Sequence, residues 1–96
     1  MTKADVVNLV TSKTDIEKSQ VSKTIEAFMD IIKDSLEKGE NVYLRGFGTF
    51  EIKKRAEKKA RNISKNTTVI VPAHHIPFFK PSNLFAESVK NSTKFN

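Results

Sequence analysis

Residues 53–65 read KKRAEKKARNISK, a stretch that no globular core can use. From Lys53 to Arg61 the chain suits an extended strand, but alternation gives that strand no apolar face. One side carries Lys54, Ala56, Lys58 and Ala60, and the other Lys53, Arg55, Glu57, Lys59 and Arg61. A strand built this way has nothing to lay on a core, so it must project. Turn-forming residues follow at Asn62 to Asn66, and then a strongly β-prone TTVIV at Thr67 to Val71. These pieces predict a two-stranded ribbon running out along 53–61 and back along 67–75. Pro72 cannot donate to a ladder and suits an edge or a bulge rather than a central strand. An isolated ribbon is marginal in water, so the arm is expected to stay mobile until it binds something.

The arm also holds the charge. Seven basic side chains (Lys53, Lys54, Arg55, Lys58, Lys59, Arg61 and Lys65) face one acid, Glu57, within this window. The excess equals the net charge of +6 for all 96 residues, which include 17 basic and 11 acidic side chains. The body is therefore neutral and the arm strongly cationic. Such a segment stores a repulsion that a polyanion relieves.

The rest reads as a small α+β body. Thr2 and Asp5 form a capping box for a helix over 3–13, with Val6, Leu9 and Val10 as its apolar stripe. After the polar link SKTD, a longer helix runs from about Lys18 to Lys38. Its apolar positions are Val21, Ile25, Phe28, Met29, Ile32 and Leu36, a wide amphipathic face closed by Gly39. The period then changes from helical to alternating. Val42 and Leu44 lie on one side of a first strand, and Gly46-Phe47-Gly48 makes a turn. Thr49 to Ile52 forms a second strand with Phe50 and Ile52 inward. Beyond the arm, Ile76 to Phe79 rejoins the sheet. Pro81 and Ser82 open a short helix with Leu84, Phe85 and Val89 as its apolar side. The tail NSTKFN, 91–96, is expected to fray.

Core arithmetic points to a second chain. Without the arm, about 70 residues remain, near the lower limit for a stable single core. Yet six of the seven Phe fall in this body. The surplus predicts an intertwined homodimer whose interface uses Phe28, Met29, Ile32, Leu44, Phe47, Phe50 and Phe79, and whose two arms are related by a two-fold axis.

Other chemistries are poorly supported. With no Cys there is no disulfide framework or thiol nucleophile. His74 and His75 are adjacent, so on a strand they point apart, and no third metal ligand is near. No catalytic triad, paired-acid pattern or phosphate-cradling loop appears, so neither an enzyme nor a cofactor is expected. No apolar run approaches the roughly 18 residues of a membrane span, and the first residues lack a secretory layout. A cytoplasmic protein is the expectation.

The run GFGTFEIKKRAEKKARNISKNTTVIVPAHHIPFFKPS resembles the signature region of the bacterial histone-like proteins, HU and integration host factor. The resemblance covers residues 1–90 as a single domain, with the arm at about 53–75. It implies two N-terminal helices, a small antiparallel sheet extended into the arm, and a terminal helix. It also implies a homodimer or close heterodimer, associated with the nucleoid, whose arms wrap the DNA minor groove, bending and compacting the duplex with little sequence preference. Bent, nicked or kinked double-stranded DNA is the implied partner, since deformation then costs less.

At the arm tip the family reads Gly-Arg-Asn-Pro, its proline inserting between base pairs; this chain reads Ala60-Arg61-Asn62-Ile63. The implied wedge is Ile63, apolar and β-branched but without the rigidity of proline. Ala60 in place of Gly calls for an ordinary φ, and Asn66 stands near the usual turn glycine. The seven arm cations and Asn62 are the implied groove contacts, with Lys3, Arg45, Gly46, Gly48 and Lys80 holding flanking DNA from the body. Site-specific binding of the integration-host-factor type remains open at this stage. So do an RNA-binding module and a basic arm for an anionic membrane or acidic partner.

Overall fold

A computed structural model describes residues 1–95 apart from 63 and 66. The chain forms two compact units, residues 1–35 and 36–96.

The first unit is a helix pair. Helix α1 spans Lys3–Thr14, one residue longer than the pattern predicts. Thr2 caps it, its hydroxyl accepting from the Asp5 amide at 3.3 Å while the Thr2 amide donates to Asp5 Oδ2 at 2.8 Å. Asp15 ends it in the left-handed region at φ 58°, which short polar side chains tolerate. The expected stripe is displaced. Val7 is buried, whereas Val6 and Leu9 are exposed. The inward line is Val7, Val10 and Thr11. Thr11 tolerates this placement because its hydroxyl donates to the Val7 carbonyl at 2.8 Å. Helix α2 spans Lys18–Glu37. Val21 and Ile32 are buried, Ile25 and Leu36 half-buried, and Phe28 and Met29 exposed. The Lys3 ammonium pairs with Glu26 and ties the two helices together.

The second unit is built on a three-stranded antiparallel sheet. Gly39, at φ 83°, releases the chain from α2. Strand β1 is Val42–Leu44 and β2 is Gly48–Arg55. The connecting turn is 45–47, so Gly48 already belongs to the strand. Strands β3 (Lys58–Asn62) and β4 (Thr67–Val71) pair with each other, and β5 (His74–Pro81) returns beside β2. The sheet order is β1-β2-β5. Helix α3, Asn83–Lys90, follows with Ser82 as its cap, and a 3₁₀ turn occupies Thr93–Phe95 in the tail.

Phenylalanines fill this unit. The Phe79 ring lies 5.0 Å from Phe47 and 4.9 Å from Phe50, and Phe47 stacks on Phe85 at 5.5 Å. These tilted and stacked contacts are the favoured aromatic geometries. Gly48 sits beneath them. A Cβ there would lie 2.6 Å from both the Phe79 ring and the Lys80 carbonyl, so only glycine fits.

Candidate nucleic-acid interface

The arm is one ribbon with a gap in its ladder. Arg55 pairs with His74, and the next ladder pair is Lys58 with Val71, three residues on in one strand and three back in the other. The register therefore does not slip between Gly48↔Pro81 and Asn62↔Thr67. Pairing lapses only where Ala56 and Glu57 face Pro72 and Ala73. Pro72 has no amide hydrogen to give, and its carbonyl instead accepts from His74 Nδ1 at 2.8 Å. The continuous strand expected over 53–61 is thus divided into β2 and β3 by a proline on the opposite strand.

Unbroken register sets the arm's faces. Thr49, Glu51, Lys53 and Arg55 share a face with Lys80, Phe78, Ile76 and His74. Lys59 and Arg61 lie at the same parity further out, beside Ile70 and Thr68. The other face carries Lys54 with His75, then Lys58 and Ala60 with Val71 and Val69. Lys53, Lys54, Arg55, Lys58, Lys59, Arg61 and Lys65 are all exposed. Their side chains lie at the surface, where phosphates can reach them. The Lys53 ammonium stands 4.4 Å from the centre of the Phe78 ring, a cation–π contact that steadies the root of the arm. Asn62 ends β3. Ile63, the expected wedge, and Asn66 lie outside the described residues.

The body residues divide. Arg45, Gly46, Gly48 and Lys80 line one shallow concavity. Lys3 lies on α1, where Glu26 engages it. Gly48 is buried in the sheet, and its lack of a side chain serves packing against Phe79. Gly46 is exposed at φ 84°, with its carbonyl held by the Ser82 hydroxyl. Sequence reasoning passed over Tyr43, which is 74% exposed and lines the same concavity. Its signal was the outward half of the β1 alternation.

The expected interface residues also divide. Ile32 is already buried within one chain. Leu44, Phe50 and Phe79 are half-buried, while Phe28 and Phe47 keep 45% and 46% of their surface exposed. Among the described residues no group of three or more His, Cys, Asp or Glu could hold a metal ion, and no helix is long and apolar enough to cross a membrane.

Comparison with known proteins agrees with this architecture. The chain is 37% identical over 90 residues to the DNA-binding protein HU of Staphylococcus aureus, covering 94% of this chain and all of that one. It is 36% identical to the HU of Geobacillus stearothermophilus, with the same coverage. Among solved structures it is similar to HU of Anabaena in a cocrystal with DNA. There the TM-score is 0.89 at 32% identity, over 96% of this chain and 100% of that one. HU of Thermotoga maritima matches at a TM-score of 0.65 and 26% identity, over 93% and 98% of the two chains. The family model described as bacterial DNA-binding protein matches residues 1–90, and the chain belongs to that family of non-enzymatic, histone-like DNA-binding proteins.

Proposed function

We propose that this chain is a dimeric architectural protein that grips the DNA minor groove with its two arms, bends the duplex and compacts it with low sequence preference. The observation that carries this reading is the unslipped ribbon, which projects Lys53, Arg55, Lys59 and Arg61 along one face. Arm cations displace condensed counterions from phosphates, which gives affinity without sequence. Arg55 and Arg61 suit the groove itself, since guanidinium is planar and weakly hydrated. Minor-groove acceptors present a nearly degenerate pattern, so groove contacts add little discrimination. Ile63 supplies the wedge that unstacks a base step.

Likeness to HU in a cocrystal with DNA supports a duplex partner over RNA. The exposed Phe28 and Phe47 support a second copy of the chain as their cover. Residues 1–90 act as one functional domain with the arm at about 53–75, and 91–96 are an appended tail. The protein works in the bacterial cytoplasm, on the nucleoid.

End-to-end fluorescence transfer on a duplex of about 35 base pairs, intact and nicked, tests this. Transfer should rise on binding, and at lower protein concentration for the nicked duplex. Binding with flat transfer would reduce the arm to an electrostatic clamp.

A further inference from the structure

The arm does not exhaust the nucleic-acid chemistry of the second unit. Strand pairing sets Tyr43 beside Thr49 and Thr49 beside Lys80, so these three side chains form a row across β1, β2 and β5. Arg45, in the turn that follows β1, lines the same concavity. Two cations there face one acid, Glu51. Neither Arg45 nor Lys80 is ion-paired among the described residues. Tyr43 is 74% exposed, and polar Thr49, Glu51 and Lys80 line the concavity with it.

An outward tyrosine on a strand has an ordinary explanation in β-propensity. That explanation does not account for an exposed aromatic ring sharing a concavity with two cations that have no ion-pair partner among the described residues. An aromatic platform flanked by phosphate-binding groups is how a protein holds an unstacked base. In intact duplex the faces of the bases are covered by their neighbours. Only an unpaired nucleotide offers a face to the ring.

We propose that Tyr43, with Arg45 and Lys80, forms a second subsite that takes an unpaired nucleotide of single-stranded DNA. The base stacks on the Tyr43 ring, and Arg45 and Lys80 hold the phosphates on either side. This subsite uses the sheet alone and does not depend on the arm's grip on duplex.

The chain provides its own probe. Tyr43 is its only tyrosine and it has no tryptophan, so intrinsic tyrosine emission reports on this position alone. The whole chain is titrated at low salt with a short thymidine oligonucleotide and, separately, with intact duplex. Single strand should quench the emission to saturation, and duplex, which offers the ring no open base face even where Arg45 and Lys80 hold its flanks, should quench it less. Tyr43→Ala should weaken single-strand affinity about tenfold while Tyr43→Phe retains it, as stacking requires. Both variants should keep duplex affinity within about twofold of the parent, given the general spread of surface substitutions. Absence of quenching by single strand, or equal quenching by duplex, overturns the proposal without any variant having to fold. So does a Tyr43→Ala protein that loses duplex and single-strand affinity alike. Failure of the parent protein to bind or bend duplex would instead count against the arm reading, and the quenching titration would still decide this one.

Discussion

The Ser82 hydroxyl donates to the Gly46 carbonyl at 3.0 Å and accepts from the Phe85 amide at 3.2 Å. The Ser82 amide meanwhile donates to the Phe47 carbonyl at 2.8 Å. One residue therefore caps α3 and fastens that cap to the β1–β2 turn. Ser82→Ala removes both side-chain bonds from a half-buried position, and the expected cost is about 1–2 kcal/mol. Chemical denaturation would read it directly. A midpoint unchanged from the parent would show that the clip contributes nothing.

The two glycines of this region should fail for opposite reasons. Gly48→Ala drives a Cβ into the Phe79 ring and the Lys80 carbonyl at 2.6 Å, an overpacking expected to cost about 1–3 kcal/mol. Gly46→Ala meets nothing within 4 Å but must hold φ 84°, which costs an L-residue about 1–2 kcal/mol. Substituting Asn, which tolerates that region, should recover much of the loss at 46 and none at 48. Thermal melts of the four variants separate backbone strain from steric clash.

Arm cations should be additive in salt dependence. Each phosphate that is no longer neutralised reduces the slope of log affinity against log salt by about 0.9. Every substitution acts twice in a dimer, so Arg55→Gln, Lys59→Gln and Arg61→Gln should each lower the slope by up to about 1.8. Titrations at several ionic strengths measure this. A slope that stays at the parent value would place that residue off the backbone.

Ile63→Ala should separate bending from binding. Truncating the wedge leaves every cation in place, so affinity at low salt should change little while energy transfer across the duplex falls. Equal loss of both would mean that the wedge and the grip are one event.

How far the sequence reaches is clearest in particular residues. The α2 stripe was legible because its apolar residues are local and its stop, Gly39, is conformationally specific. The cationic arm was legible for the same reason, since its like charges are contiguous. On α1 the stripe was misplaced because Val6 and Val7 are chemically identical, and only packing decides which points inward. The role of Gly48 was hidden because the ring that requires it, Phe79, comes from a distant strand. Tyr43 was missed likewise, since only strand pairing brings it into line with Lys80. The gap at Ala56–Glu57 has no signal in its own residues; Pro72 was read as a ladder breaker, but only the register shows which residues it faces.

The constant offset between the two arm strands limits how this arm can change length. Adding one residue to the outgoing strand alone would turn every side chain beyond it to the opposite face, carrying Lys59 and Arg61 away from the side they share with Lys53 and Arg55, and one added to the return strand alone would do the same to its own side chains. A single residue added to each strand would keep the pairing but still invert the outer half. Lengthening that preserves both pairing and face must come two residues at a time, matched on both strands. Natural variation in arm length should therefore be quantised in steps of four residues, with insertions of other sizes confined to the tip.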